Sequence, residues 1–213
     1  MENNNSNKYY KQVVIARKDL NMSTGKLAAQ VSHATMAFLT NAIKQSAHEV
    51  LDCEIGYAWE GSFNGAPKPA LYRHPDLNRW AEEARAEGKD FFYYERVSVS
   101  AGILRRCERK SHIESTLKLD QGVYDGWING IFTKVVLQAR NKSQLLKAID
   151  LAKETGLVEG KDYFCIRDNC LTELVPEEVD ENGVGRTLTC IGFRPMESEI
   201  IDKIGRKYHI WTD

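Results

Sequence analysis

The sequence predicts an α/β protein: an open mixed β-sheet of about four strands, helices on both of its faces, and an inserted α+β segment. Short apolar runs rich in β-branched residues alternate with amphipathic helical patterns along most of the chain, as expected for a sheet covered by helices. The alternation lapses between about residues 46 and 123, where we place the insertion. We therefore expect a disordered N-terminus at 1–8 and a single domain over 9–213 that carries the insertion.

The first strand and the helix after it are the most informative stretch of the chain. The apolar run at 13–16 predicts a buried strand over about 11–17. Ser23 or Thr24 can cap the following helix, which we extend to Lys44 or beyond. The side chains expected to be buried repeat at helical spacing and are Leu27, Val31, Ala34 and Phe38.

Three further strands and two helices are predicted in the C-terminal half. We place the strands at about 132–139, 163–167 and 187–193, and we expect the last two to pair antiparallel. Asn141 caps the first of the two helices, Gly156 ends it, and Pro195 begins the second. The side chains expected to face inward are Leu145, Leu146, Ile149 and Ala152 in the first helix and Ile200, Ile201 and Ile204 in the second.

The insertion contains a short helix, an edge strand and a basic run. Asp76 opens a helix over 77–84 that Gly88 ends, and the aromatic run at 91–94 has the composition of an edge strand. After it, residues 103–110 contain Arg105, Arg106, Arg109 and Lys110. Such a run beside aromatic residues can steer a phosphate backbone, but the same pattern is typical of a solvated helix face, and both interpretations stay open.

Composition excludes several classes of protein. The net charge is −1, so binding to a nucleic acid requires a local basic patch rather than an overall basic surface. The five cysteines form no C-x-x-C pair, which argues against a disulfide framework and against a zinc site. The N-terminal residues lack an apolar signal sequence, and no apolar run is long enough to span a membrane. We expect a cytoplasmic protein without a metal or other cofactor.

A second face of the first helix carries Lys26, Gln30 and His33. Lys26 lies in the first turn, where the helix dipole and exposed N–H groups are already positive. This arrangement suits a phosphate group or a developing oxyanion, whereas the alternative is a solvated surface lysine. The sequence GxxxxGK[ST] does not occur, so the Gly-Lys pair is not part of a P-loop.

Asp168 is predicted at the carboxyl end of a strand, as Lys26 follows the carboxyl end of the first strand. Ligands of open α/β sheets gather at such positions, where a Lys–Asp pair can bind a ribose hydroxyl or phosphate and activate a water. Thr172 and Thr189 add hydroxyl groups that can orient that water. The alternatives are that Asp168 caps a turn, both threonines fill a sheet, and His33 is a structural hydrogen-bonding residue. Gln30 is interpreted as orienting the loop that carries Asp168.

The residues T-G-K-L-A-A-Q-V-S-H-A at 24–34 resemble the signature of type II peptidyl-tRNA hydrolases, the archaeal and eukaryotic kind. Later blocks of the chain resemble that family in the same order. They comprise Trp127, Gly130, 134–137, 166–168, Thr172 and 189–192. The resemblance covers roughly 10–43 and 124–208, and family members usually replace the intervening segment with a much shorter connection.

The resemblance implies metal-free hydrolysis of the ester that joins a peptide to the terminal ribose of tRNA. It places Lys26, Asp168, Thr172 and Thr189 at the family's catalytic positions. We add a set of candidate substrate-binding residues: Gln30, His33, Arg105, Arg106 and Arg109. The implied partner is tRNA, no membrane partner is expected, and monomer and homodimer both stay open.

The chain departs from the family pattern directly after Asp168. The family usually continues with Ala-Gly-Arg-Thr-Gln, but this chain has Asn169-Cys170-Leu171-Thr172-Glu173, followed by an acidic loop at 176–181. Acidic groups beside the cleft would repel a tRNA backbone, and a thiol at position 170 raises the alternative of a cysteine nucleophile. Two rival functions follow: a non-catalytic RNA- or protein-binding module, and a hydrolase of another small ester or amide with a closed pocket flanked by Glu173.

Overall fold

The computed structural model describes residues 8–60, 76–96 and 101–212 of the chain. The chain divides into two compact units: a main unit formed by 1–45 and 117–213, and an inserted unit formed by 46–116. The N-terminal residues 1–7, for which we predicted disorder, lie outside the described residues.

The elements follow one another in this order: β1 (Tyr10–Arg17), α1 (Thr24–Ser46), β2 (His48–Glu60), α2 (Leu77–Ala86), β3 (Phe91–Arg96), β4 (Ala101–Glu114), α3 (Gln121–Val123) leading into a π-helix (Tyr124–Ile131), β5 (Lys134–Ala139), α4 (Lys142–Glu154), β6 (Tyr163–Asp168), β7 (Glu178–Val179), β8 (Gly185–Phe193), β9 (Met196–Glu197), α5 (Ser198–Gly205) and β10 (His209–Ile210).

The described part of the main unit forms a seven-stranded mixed sheet with the order β10-β5-β1-β8-β6, to which β7 and β9 add short pairings with β8 and β1. β1 pairs parallel with β5, whereas β8 pairs antiparallel with both β1 and β6. The predicted α/β class and the antiparallel pairing of the last two long strands are therefore confirmed. The sheet has seven strands rather than about four, because the two-residue strands β7, β9 and β10 pair with the four long ones. Because two antiparallel steps separate β1 from β6, these strands point the same way and end at the same edge of the sheet.

The two faces of the sheet are buried against different helices. Along β1, Val13 and Ile15 belong to the cluster that packs against α4 and α5, whereas Val14 and Ala16 pack against α1. On the α1 side, a Cβ at Gly192 would lie 2.2 Å from the backbone oxygen of Ala34. The missing side chain of Gly192 therefore lets α1 approach β8 closely, and this approach sets the position of the helix over the strand ends.

Most of the predicted helix boundaries are confirmed, but the burial of one α4 residue and the start of the last helix are predicted wrongly. The Asn141 side chain accepts a hydrogen bond from the Gln144 N–H (3.0 Å), and Gly156 ends α4 with a φ of +84°. Leu146, predicted to be buried, is 42% exposed, because the inward position one turn before Ala152 belongs to Ala148. Pro195 does not begin the last helix, since Met196 and Glu197 first pair with β1 as β9.

Three further residues of the predicted inward set are only partly buried. Ala34 and Phe38 are buried as predicted, but Leu27 and Val31 are only partly buried against the α1-side cluster. In α5, Ile201 and Ile204 are buried and Ile200 is partly buried. The polar residue Gln30 is 3% exposed and shares the buried face of α1, because it is hydrogen-bonded to groups of the sheet.

The described part of the inserted unit is a three-stranded antiparallel sheet of order β2-β4-β3 with the helix α2. The predicted helix after Asp76, its stop at Gly88 (φ +66°) and the edge strand at 91–94, which extends to Arg96, are confirmed. The basic run lies in the extended strand β4, so the helix-face interpretation of that run is wrong. Its strand conformation follows from pairing on both sides, with β2 and with β3.

Over the described ranges, none of the helices combines the length and the apolar character required to cross a membrane.

Candidate functional site

The candidate site lies at the sheet edge where β1 and β6 end. The loop after β1 leads into α1, whose first turn carries Lys26, and β6 ends at Asp168. Because β1 and β6 run in the same direction, their carboxyl ends bring these two residues to the same edge. The topology of the sheet thus explains how residues 142 positions apart in the sequence meet.

Lys26 and Asp168 form a largely buried ion pair. The Nζ atom of Lys26 lies 2.7 Å from Oδ2 of Asp168, and the two side chains are 14% and 9% exposed. The same ammonium group donates to Oγ1 of Thr172 at 3.2 Å. Lys26 is therefore not the solvated surface lysine of the alternative interpretation.

Gln30 links Asp168 to Thr189 through buried hydrogen bonds. Its Nε2 donates to Oδ2 of Asp168 (2.7 Å), and its Oε1 accepts from the hydroxyl of Thr189 (2.7 Å). Thr189 is fully buried in β8. A continuous chain of contacts therefore runs from Thr189 through Gln30 and Asp168 to Lys26 and Thr172, and the two threonines lie at its opposite ends.

The pKa of Asp168 reflects opposing effects. Burial raises the pKa of this carboxyl group, but hydrogen bonds from Lys26, the Cys170 N–H (2.8 Å) and Gln30, together with the positive charge of Lys26, outweigh burial. The net result is a pKa below the ordinary value for aspartate. Asp168 is therefore ionised at neutral pH and acts as an acceptor for the groups around it.

An open cleft of about 450 Å³ lies over this contact chain. The walls are contributed by α1, the end of β6 and the following loop. The lining residues are Lys26, Gln30, His33, Ile166, Arg167, Asp168, Asn169, Leu171 and Thr172. His33 is exposed in the wall, whereas Thr189 lies beneath the cleft and does not line it. Of the predicted residues, Lys26, Asp168, Thr172, Gln30 and His33 are thus brought to one cleft.

The loop after Asp168 adopts an unusual backbone conformation at Cys170, whose φ is +54°. Its thiol donates to Oγ1 of Thr187 (3.4 Å) and contacts the carbonyl oxygen of Asp168 (3.5 Å). The hydroxyl and the carbonyl are hydrogen-bonding partners rather than bases that generate a thiolate. These contacts favour a packing role for Cys170 over the nucleophile alternative.

The acidic residues of the neighbouring loop are paired with cations. Glu177 bonds to Arg17 and Lys142, Glu178 contacts Arg167 and Lys142, and Asp180 contacts Arg186. Glu173 accepts hydrogen bonds from the backbone N–H (3.0 Å) and the hydroxyl of Ser23, at the N-terminus of α1. Much of the negative charge that the sequence places beside the cleft is therefore balanced by neighbouring groups.

Arg17 is the main feature of this region that the sequence reasoning missed. Its side chain is 3% exposed, and its guanidinium group bonds to both carboxylate oxygens of Asp19 and of Glu177 and to the carbonyl oxygen of Leu188. The hydrogen bond from Arg17 is the largest of the effects that lower the pKa of Glu177 to about 2. The sequence signal was a charged residue directly after a buried apolar run, which requires a carboxylate partner.

The remaining predicted substrate-binding residues are Arg105, Arg106 and Arg109. Their backbone lies in β4 of the inserted unit, and their side chains lie outside the described residues. Their proposed contact with substrate stays a prediction. In the ranges that the structure describes, no three His, Cys, Asp or Glu side chains are grouped so that they could hold a metal ion.

Comparison with known proteins adds independent information. The chain is similar to a peptidyl-tRNA hydrolase of Methanopyrus kandleri, with 27% identity over 195 residues that cover 92% of each chain. It is also similar to a peptidyl-tRNA hydrolase of Thermoplasma acidophilum, with 25% identity over 45% of this chain and 70% of the relative. A third such enzyme, from Staphylothermus marinus, is 46% identical over 46 residues, which are 22% of this chain and 38% of the relative.

A family model described as "Peptidyl-tRNA hydrolase PTH2" matches residues 10–90 and 107–211. The match includes both segments that meet at the cleft, the N-terminal part of α1 and the end of β6 with its loop. The chain therefore belongs to the PTH2 family of peptidyl-tRNA hydrolases.

Proposed function

We propose that this protein hydrolyses the ester bond of peptidyl-tRNA without a metal ion, releasing the peptide and free tRNA, and that Lys26 and Asp168 are its catalytic residues. The hydrolase class and the tRNA-linked substrate follow from membership of a family of peptidyl-tRNA hydrolases. The observation that carries the choice of residues is the 2.7 Å contact between Lys26 and Asp168 at the base of an open cleft.

The hydrogen-bonding capacity of this pair is not exhausted. An ammonium group has three donors, and Lys26 uses two of them on Asp168 and Thr172. An ionised carboxylate has about four acceptor positions, and Asp168 fills three with Lys26, Gln30 and the Cys170 N–H. Among the residues that the structure describes, none fills the remaining donor and acceptor positions, which we assign to a substrate oxygen and a water molecule.

These two positions support the following reaction. Asp168 accepts a proton from a water molecule as the water oxygen attacks the ester carbonyl carbon. Lys26 stabilises the negative charge that develops on the carbonyl oxygen. When the tetrahedral intermediate collapses, the carbon–oxygen bond to the ribose breaks, and the ribose oxygen takes the proton from Asp168.

Gln30 and Thr189 act as positioning residues in this proposal, because both are buried, Gln30 bonds to Asp168, and Thr189 bonds to Gln30 from beneath the cleft. Thr172, exposed and bonded to Lys26, is placed to contact substrate, and we propose the same for the exposed His33. Arg105, Arg106 and Arg109 are proposed as contacts to the phosphate backbone of tRNA.

One alternative function, hydrolysis of a small ester or amide, predicts a closed pocket flanked by Glu173. The cleft is instead open, and Glu173 is bonded to Ser23 rather than lining the cleft. An open cleft suits an ester that carries a macromolecule on each side. The other alternative, a non-catalytic binding module, has no comparable support, because the family is one of hydrolases.

The cellular location and the oligomeric state of the protein are also proposed. We propose that the protein acts in the cytoplasm, where peptidyl-tRNA is produced by translation.

We also propose a homodimer, because apolar side chains are exposed on and after the π-helix, including Tyr124 (48%), Ile131 (79%) and Phe132 (46%). Sedimentation analysis of the full chain would reject the dimer if the protein stays monomeric at micromolar concentration.

The experiment that tests the reaction measures release of peptide from peptidyl-tRNA in the presence of EDTA. We expect turnover by the wild type and a loss of at least roughly 100-fold, equivalent to about 2.7 kcal/mol, in both Lys26→Met and Asp168→Asn. Lys44→Met, on the exposed end of α1, and Asp150→Asn, on the exposed face of α4, serve as matched controls. Absence of turnover by a folded wild type, or full activity of either site variant, would contradict the proposal.

A further inference from the structure

A second cavity, of about 490 Å³, lies in the main unit beside the C-terminal half of α1. Phe38 and Asn41 of α1, Phe164 of β6 and Pro195 contribute to its walls, and Leu117 and Lys118 lie at its rim. The side chain of Asn41 donates to the carbonyl oxygen of Gly160 at 2.7 Å and so holds one wall in place. None of the roles proposed above uses this cavity.

The second cavity lies beyond the cleft along α1 and β6, the two elements that contribute walls to both, and we call the cleft and the second cavity together the groove. Phe164, Ile166 and Asp168 alternate along β6 and therefore share one face, about 6.7 Å apart at each step. Ile166 lines the cleft and Phe164 lines the second cavity. On α1, His33 of the cleft wall and Asn41 of the second cavity lie two i+4 steps apart, with the short side chain of Ala37 between them.

The groove has the length of a short extended peptide. Lys26 and Asn41 are separated by 15 positions on one helix, which corresponds to about 22 Å along its axis. An extended chain advances about 3.3 Å per residue, so about six to seven residues span the distance.

The lining of the second cavity suits a peptide better than RNA. Apolar side chains in its lining include Phe38, Phe164 and Leu117. Phe38 is 8% exposed and forms a T-shaped contact with Trp127, with ring centroids 6.2 Å apart, so its ring is not open for stacking on a base. Leu117 is 42% exposed at the rim. The lining charges are of both signs, since Lys118, Lys161 and Arg194 lie there with Asp120. Arg194 is also paired with Asp120 (3.4 Å) and with Asp162 (2.7 Å), so its charge is balanced by carboxylates. A phosphate backbone is instead bound by a continuous row of cations.

We propose that the groove between α1 and β6 binds the nascent peptide of the substrate in an extended conformation. The residue esterified to tRNA lies at Lys26 and Asp168, and a residue about six positions toward the peptide N-terminus fills the second cavity. This inference rests on the proposed hydrolase function, because it extends the acyl side of the same substrate. It implies that longer peptides are bound more tightly than a single residue, since each further residue adds contacts within the groove.

The experiment compares one tRNA that carries either a single N-blocked amino acid or an N-blocked peptide of about seven residues. For the wild type we expect kcat/KM to be roughly 10-fold higher for the long substrate, mainly through a lower KM. Ala42→Phe, which fills the second cavity, should remove this advantage and leave hydrolysis of the single-residue substrate unchanged. The matched control is Ala28→Phe, an exposed position on another face of α1.

Leu117→Ser provides a second variant at an exposed position, in case Ala42→Phe does not fold, and it should reduce the length advantage in the same way. Equal losses for the long and the single-residue substrate would indicate a contact with tRNA and overturn the peptide groove. Wild-type hydrolysis without any length advantage would overturn the groove while leaving the hydrolase function intact. Failure of the wild type to hydrolyse either substrate would overturn both.

Discussion

Two buried ion pairs at the same edge of the sheet differ in how completely they are hydrogen-bonded. Arg17 uses all five of its N–H donors, on Asp19, Glu177 and the carbonyl oxygen of Leu188. Lys26 and Asp168 each keep one position that none of the described residues fills, and both line an open cleft. Burial of a cation beside a carboxylate therefore does not by itself indicate catalysis. The unfilled capacity facing the cleft distinguishes the catalytic candidate from the structural pair.

The largest expected effect is on the free energy of unfolding and concerns Arg17, whose N–H donors are all used by Asp19, Glu177 and Leu188. Arg17→Met should lower the free energy of unfolding by about 2–3 kcal/mol, because it leaves the carboxylates of Asp19 and Glu177 without their buried partner. The folded fraction should keep its catalytic rate within a few-fold. Denaturant unfolding and turnover at low temperature measure the two effects separately.

The double variant Arg17→Met/Glu177→Gln is the control, because it removes one of the stranded carboxylates together with the cation. It should regain part of the lost stability. A loss of kcat in Arg17→Met larger than that in Asp168→Asn, without a loss of stability, would show that the comparison between the two pairs is wrong.

An intermediate effect is expected on catalysis at Gln30. Gln30→Leu should lower kcat by roughly 10- to 100-fold with little change in KM, because Asp168 loses the group that orients it. The hydrogen bond from Gln30 helps to lower the pKa of Asp168, so its removal should raise that pKa. The acidic limb of the profile of kcat/KM against pH should therefore move to higher pH.

Thr189→Val tests the same chain of contacts one step further from the cleft, since it removes the hydroxyl that bonds to Oε1 of Gln30 and preserves the shape of the side chain. It should shift the profile in the same direction by a smaller amount. A loss of kcat in Gln30→Leu with an unchanged pH profile would assign Gln30 to packing alone.

The smallest expected effect is at Glu173, whose carboxylate contacts the N-terminus of α1. Its hydrogen bonds with Ser23 lower its pKa, but the residue is exposed, so Glu173→Gln should leave the free energy of unfolding nearly unchanged. The affinity for tRNA should rise by less than roughly 3-fold at physiological salt. Filter binding at two salt concentrations checks this, and a 10-fold or larger increase would restore the view that this anion repels tRNA.

Strong local patterns explain why much of the fold could be predicted. Apolar runs rich in β-branched or aromatic residues predicted β1, β5, β6 and β8, and Asn141 and Gly156 marked the ends of α4 by their own backbone and capping chemistry. Local sequence patterns predicted the wrong conformation where pairing with a distant strand determines it. Pro195 is compatible with a helix start, yet pairing of Met196 with β1 delays the helix, and the basic run of β4 is extended because strands flank it on both sides.

The candidate site was predictable to a similar degree. The first-turn position of Lys26 and the strand-end position of Asp168 pointed to one edge, but the sequence placed Gln30 on a polar face, where burial was not expected. Thr189 was grouped with residues that contact the reacting atoms, although it lies beneath the cleft. Arg17 and Glu177, separated by 160 positions, were not connected at all, since no local pattern links residues so distant.

The sequence by itself determined the α/β class, the long strands and helices, and the chemical types present at the cleft, because these depend on periodicity, capping and residue chemistry within short stretches. Only the tertiary structure decided which cation meets which carboxylate and which of them is saturated. It also decided that α1 and β6 contribute walls to both the cleft and the second cavity. These properties depend on strand order and on the close approach of α1 at Gly192, which join residues that are distant along the chain.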